Sequence, residues 1–213
     1  MEKGCRVNLK DCFDRYKCDK GYKHHYHIEY EKEFSKVRNK EINFLEIGVY
    51  KGASTSAWHD YLPRANLYCV DIFERVDVKN IEVLNRERVH WLKSDSTTIE
   101  FKKEIKNWIG DLKFDFIIDD GLHTHTANEK TFTSLIDFLK DDGIYYIEDI
   151  YALDVMTKME RNNYWTVKQM KLGNIGDIQL GSLKSKLTNY NLKEISTRHL
   201  SRFPDSHIYK IRK

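Results

Sequence analysis

The stretch FIIDDGLHTHTANE, residues 116–129, sets Asp119 and Asp120 directly after an apolar run and follows them with His123 and His125. Further on, YYIEDIY closes a second apolar run with Glu148 and Asp149. Neighbouring parallel strands lie about 4.8 Å apart, so strands ending at these residues would bring Asp120, Glu148 and Asp149 to one lip of a sheet. Carboxylates crowded together repel and take up protons unless a cation joins them. A hard divalent ion with oxygen ligands suits such a set, magnesium first and manganese next. Zinc is disfavoured, because the sequence has no clustered Cys or paired His set. The plainer readings are that Glu148 and Asp149 close a strand and cap the next helix, that His125 starts a helix or lies at the surface, and that Asp119 is a satisfied strand-end carboxylate.

A second constellation is LEIGVYKGAS, residues 45–54, where Glu46 precedes Gly48 and Gly52. Glycines in the turn after a first strand let the backbone bend sharply and approach a ligand, while the next helix offers free N–H groups. A dinucleotide fingerprint needs a small residue at the position held here by Tyr50, which counts against a nicotinamide oxidoreductase. Asp71 lies 23 residues beyond Gly48 at the end of the next apolar run, where an acid can accept from two ribose hydroxyls. Asp95, in LKSDSTT, could take an adenine amino group.

These residues need a scaffold that aligns strand ends. Apolar runs of strand length occur at Ile42–Val49, Leu67–Phe73, Val89–Leu92, Phe114–Asp119 and Ile144–Ile150, and they are nearly continuous, as in a parallel sheet covered on both faces. Between them lie the helix-length segments ASTSAWHDYLP, KNIEVLNRE, TIEFKKEIKNWIG and TANEKTFTSLIDFLKDDG, the last two ending at glycines. The repeated β-α rhythm predicts an α/β, Rossmann-like doubly wound sheet. The tail breaks that rhythm: NLKEISTRHL and SHIYKIRK, joined by SRFPD, read as an antiparallel hairpin. Residues 152–191 are expected to hold one or two helices and a glycine-containing loop, and His24 and His27 to be solvated members of a polar, helical amino-terminal segment.

The chain has 213 residues, enough for one α/β domain with a sizeable core. Its 36 Lys and Arg against 33 Asp and Glu leave a formal charge of +3, too balanced for a nucleic-acid footprint. Cys5, Cys12, Cys18 and Cys69 show no ligand spacing and read as reduced thiols. MEKGCRVNLK has no apolar leader run and no segment approaches a membrane span, so a cytoplasmic location is the expectation.

Taken together, FLEIGVYKGAS, the DI at the second strand, the SDS at the third, FDFIIDDGLHT and YYIEDIY resemble the class I S-adenosylmethionine-dependent methyltransferases. More narrowly they are similar to the metal-dependent sugar O-methyltransferases of macrolide biosynthesis, the macrocin and mycinamicin type. The resemblance implies a mostly parallel seven-stranded sheet with an antiparallel C-terminal strand. It implies S-adenosylmethionine as donor, with Glu46, Gly48, Gly52 and Asp71 lining it, Asp95 near the adenine and Asp119 close by. It puts Mg2+ or Mn2+ on Asp120, Glu148 and Asp149, and a general base at His123, which together with Asp120 would carry the chemistry on a hydroxyl of a sugar or other small metabolite. The early segment CDKGYKHHYHIEYEKEF resembles the part that folds over the cofactor, carrying across Lys20, His25, Tyr26 and Tyr30. A single domain over 1–213 is expected, with 1–40 a helical cap and 41–213 the core. No membrane or nucleic-acid partner is expected, and a homo-oligomer is left open. The readings from other classes are a nicotinamide-dependent oxidoreductase and a non-catalytic cofactor-binding module.

Overall fold

A computed structural model of the protein describes residues 7–150, 182–203 and 205–213. Three short helices come first, α1 (Leu9–Arg15), α2 (Asp19–Tyr22) and α3 (His27–Phe34). They are followed by β1 (Asn43–Ile47), α4 (Ala53–Tyr61), β2 (Asn66–Asp71), β3 (Val89–Lys93), α5 (Phe101–Ile109), β4 (Phe114–Asp119), α6 (His125–Leu135) and β5 (Leu139–Ile147). A short helix α7 (Ser182–Lys186) precedes the hairpin β6 (Asn191–Ser196) and β7 (His207–Arg212). The strands form one seven-stranded sheet in the order β3-β2-β1-β4-β5-β7-β6. Strands β1 to β5 pair in parallel, and β7 runs antiparallel to both β5 and β6.

The central strands are nearly continuous in apolar residues because both faces are covered. On one face Phe34 of α3 packs on Phe116 with ring centroids 4.2 Å apart, and Trp58 of α4 packs on Phe34 and, edge-on, on Phe13 of α1. A buried ion pair adds to this layer: Lys210 of β7 reaches Glu29 at 2.8 Å and Glu33 at 2.6 Å, fastening α3 to the sheet. On the other face Phe101 and Ile105 of α5, Phe132 and Leu135 of α6, and Leu183 and Leu187 join Leu45, Ile117 and Tyr145.

Two expected helices differ. KNIEVLNRE forms two 3-10 turns, Val78–Asn80 and Glu82–Asn85, the first capped by the Asp77 carboxylate on the Lys79 N–H. Ile81, Val83 and Leu84 are all buried there, a spacing that tight turns satisfy and one helical face does not. The helix expected to run to Gly143 ends at Leu135, passes through a 3-10 turn at Ile136–Phe138 and gives way to β5 at Leu139. Leu135, Ile136, Phe138 and Leu139 are buried with Asp137 exposed between them, a spacing one helical face could also satisfy, and it is the pairing of Leu139 with Phe114 of β4 that takes the chain out of the helix. Most of the segment expected between 152 and 191 lies outside the described residues.

The register sets the site. Ile47 pairs with Val70 and with Asp119, and Asp119 with Ile147. The ladder then runs one step further: Gly48 N–H donates to Val70, Asp120 N–H to Ile47, Glu148 N–H to Asp119 and Ser94 N–H to Asp71. Gly48, Ser94, Asp120 and Glu148 therefore stand side by side along the carboxyl edge. Gly48 has φ +89°, and a Cβ there would lie 2.1 Å from the Asp120 carbonyl oxygen. Gly48→Ala is accordingly expected to lower unfolding stability by about 2–4 kcal/mol, since left-handed strain and a backbone clash add. Urea melts followed by circular dichroism measure it; a loss under about 1 kcal/mol would mean the two loops can separate freely.

Candidate active site

Asp120 is the first residue beyond β4, and Glu148 and Asp149 are the first two beyond β5. His123 Nε2 lies 3.7 Å from Asp120 Oδ1 and 3.8 Å from Asp149 Oδ2. Oxygens of Asp120 and Asp149 and a ring nitrogen of His123 fall within 4.8 Å of one another, close enough to hold one metal ion. Both His123 (φ 24°) and Asp149 (φ 53°) have positive φ, as do Tyr50 and Phe73 on the same edge. Such backbone persists only where the surroundings hold it, and it gathers at functional sites.

The amino-terminal helices enter this cluster. Lys20 of α2, its side chain 2% exposed, places Nζ 2.5 Å from both Asp120 Oδ2 and Glu148 Oε2. Tyr30 Oη donates to Glu148 Oε1 at 2.5 Å, so both oxygens of this carboxylate, 1% exposed, are taken by the protein. Tyr26 Oη lies 2.7 Å from Asp149 Oδ1 and 3.0 Å from the Asp205 carbonyl. Burial works against the Lys20 ammonium, but Asp120 and Glu148 outweigh it and hold its pKa well above the usual value. Burial, aided by Asp149 for Tyr26 and Glu148 for Tyr30, keeps both phenols protonated and therefore donors.

Lys20 and Tyr26, expected beside the cofactor, thus bond within the acid cluster. The sequence could have suggested this: buried carboxylates demand a cation, and Lys20 stands in the one early segment that resembles an active-site element. His24, expected to be solvated, is buried; its Nδ1 lies 2.8 Å from Ser206 Oγ and its ring stacks on Tyr26. His125 opens α6 as expected, yet it is buried rather than at the surface. Asp205, next to Ser206 and 3.9 Å from His24, carried no sequence signal.

The turn after β1 forms the other half of the edge. Asp71 Oδ2 accepts from the N–H groups of Val49 (2.7 Å) and Tyr50 (2.9 Å), and Oδ1 from Phe73 (2.7 Å), so it fixes the turn it faces. Gly52, also left-handed, caps α4, and a Cβ there would strike Ile81 and Val83. Glu46 accepts from Thr55 Oγ1 at 2.6 Å, while its Oε1 is buried without a hydrogen bond. Burial pushes the Glu46 carboxyl up, and Lys20 opposes the shift. Asp95 closes a turn by accepting from Thr97 N–H and Oγ1. Asp119 is buried, accepts from Asn128 Nδ2 (3.1 Å) and Gly121 N–H (3.2 Å), and is pushed up to about 6 by burial. It organises the loop that carries Asp120 and His123.

An acceptor stranded in the interior beside a glycine turn fits an amino-group donor, and the open oxygens of Asp120 and Asp149 beside an imidazole nitrogen fit a hard divalent ion.

Residues 45–150 match a family profile described as a methyltransferase domain. The chain is 30% identical over 160 residues to the mycinamicin VI 2''-O-methyltransferase of Micromonospora griseorubida, covering 70% of this chain and 38% of that protein. It is 31% identical over 146 residues to the L-olivosyl-oleandolide 3-O-methyltransferase of Streptomyces antibioticus, covering 65% and 36%. The chain thus spans well under half the length of these curated relatives. Among solved structures, the MycE methyltransferase from the mycinamycin biosynthetic pathway, in complex with Mg, SAH and mycinamycin VI, superposes with a TM-score of 0.69 at 25% identity over 97% of this chain and 54% of that one.

Proposed function

The chain belongs to the class I S-adenosylmethionine-dependent methyltransferases, and from that premise we propose that it methylates a hydroxyl of a sugar or other small hydroxylated metabolite. The donor is S-adenosylmethionine, which supplies an electrophilic methyl group. The metal is Mg2+ or Mn2+, which lowers the pKa of a hydroxyl bound to it and fixes its oxygen. Asp120 and Asp149 hold the ion, joined by Glu148, and His123 is the base. The observation that carries the reading is the grouping of Asp120, His123 and Asp149 within 4.8 Å, on the same edge as the Gly48 turn.

In this reading Glu46 receives the donor's amino group at its buried, unbonded Oε1. Gly48 and Gly52 keep the turn free of side chains, Asp71 holds the turn and faces the ribose, and Asp95 serves the adenine end. His123 stands where a proton leaving the acceptor oxygen can be taken, and Tyr26 holds Asp149 in orientation. Helices α1 to α3, within residues 1–40, act as the cap, since they bring Lys20, Tyr26 and Tyr30 to the strand ends. A cytoplasmic enzyme is the proposed setting; among the described residues no helix is long and apolar enough to cross a membrane.

Calorimetric titration of chelator-treated protein with S-adenosylhomocysteine, with NAD run in parallel, tests the donor pocket. Micromolar binding of S-adenosylhomocysteine and none of NAD is the expected result; preference for NAD would overturn the proposal. Asp71→Ala, by opening the turn, is expected to weaken S-adenosylhomocysteine at least about tenfold, as loss of hydrogen bonds to a charged group costs on the order of 1.5–3 kcal/mol each and Asp71 accepts three from the turn.

A further inference from the structure

Both carboxylate oxygens of Glu148 are bonded within its own protein. Oε1 accepts from Tyr30 and Oε2 from Lys20, each at 2.5 Å, and the same ammonium lies 2.5 Å from Asp120 Oδ2. Magnesium requires ligand oxygens at about 2.0–2.1 Å. An ion that took Asp120 Oδ2 and Glu148 Oε2 among its ligands, as the proposed set of Asp120, Glu148 and Asp149 requires of Glu148, would need the space the Lys20 ammonium fills. The two cations exclude each other by size and by charge.

We propose that Lys20 is an exchangeable internal counter-ion of the metal site, bridging Asp120 and Glu148 in the metal-free protein and displaced from them when a divalent cation binds. This rests on the metal reading above. The physical need is plain: two carboxylates brought together without a cation between them repel. An internal ammonium holds the two carboxylates together in place, and it makes metal uptake an exchange of one cation for another. The four-residue helix α2 is bracketed by Lys17 (φ 52°) and His25 (φ 57°), left-handed residues that stay so only while neighbouring contacts hold them. Asp19 precedes Lys20 in α2 and is a further carboxylate near its ammonium, toward which a released ammonium can turn.

Exchange has two consequences besides activity. The first is accessibility. Lysine labelling with an amine-reactive reagent, read by mass spectrometry on the full chain, should show Lys20 protected after chelation and at least tenfold faster to react in saturating Mg2+. Lys210, also buried, between Glu29 and Glu33 and outside the acid cluster, is the internal control and should not change. The second is affinity: Lys20→Met, which keeps the length and removes the charge, should bind Mg2+ at least tenfold more tightly by calorimetry. Labelling unaltered by Mg2+ in wild-type protein that binds the ion would overturn the proposal and leave the metal reading standing, with Lys20 a fixed part of the fold. The labelling arm needs no variant, so a Lys20→Met protein that fails to fold does not protect the idea. No Mg2+ binding by either protein would sink the metal reading and this inference with it, while S-adenosylhomocysteine binding would still report the donor pocket separately.

Discussion

Asp149→Asn should lower kcat about 10³-fold or more, equivalent to about 4 kcal/mol of lost transition-state stabilisation, while S-adenosylhomocysteine affinity stays within about threefold. The size follows from what the carboxylate does in the proposed site. Its Oδ2 faces His123 at 3.8 Å, and its Oδ1 is held by Tyr26 at 2.7 Å, so one group is both ligand and fixed point. The amide keeps the shape and can still accept from Tyr26, but it removes one negative charge and weakens the ion that activates the acceptor. Asp71 and Glu46 line a different part of the edge, which is why donor binding is spared. Steady-state methyl transfer with excess Mg2+, alongside calorimetry with Mg2+ and with S-adenosylhomocysteine, separates the effects. Metal affinity should fall at least tenfold. Normal turnover in the variant, or turnover by wild-type protein in excess chelator, would remove the metal from the mechanism.

Much of the positioning framework could be read from the sequence. Phe114–Asp119 is a strand with the limits its apolar run suggests, and the terminal hairpin follows from two strand-like runs around a turn. Strands buried on both faces write themselves as unbroken apolar runs, so their ends, and with them Gly48, Asp120 and Glu148, are easy to locate. Helix limits were less legible, because burial of neighbouring residues such as Ile136, Phe138 and Leu139 depends on what packs beside them. Least legible were partnerships across long sequence separations. Lys20 meets Asp120 and Glu148, 100 and 128 positions away, and His24 meets Ser206, 182 positions away. Periodicity describes one element at a time and has no term for where a helix near the amino terminus lands on the sheet. The resemblance assigned Lys20 and Tyr26 to the cofactor, whereas their bonds to Asp120, Glu148 and Asp149 depend on the three-dimensional packing of α2 and α3.

The companion substitution, His123→Ala, should lower the chemical step by about 10²–10⁴-fold, the usual contribution of a general base, with Mg2+ and S-adenosylhomocysteine affinities each within about threefold of wild type. The geometry permits two roles for this imidazole, since Nε2 is almost equidistant from an Asp120 oxygen and an Asp149 oxygen. A base must touch the acceptor's proton, whereas a ligand must touch the ion, and the two roles predict different losses. Single-turnover methyl transfer at saturating metal and donor reads the first, and calorimetric Mg2+ titration reads the second. The backbone favours a residue placed for chemistry: at φ 24° His123 sits in an unfavourable conformation, in a loop anchored by Asp119 through Gly121 N–H and Asn128. Added imidazole should restore part of the rate to the alanine variant, because the small base can occupy the space vacated by the ring. A large loss of Mg2+ affinity would instead make His123 a ligand, and the proton would have to leave through another group on the same edge.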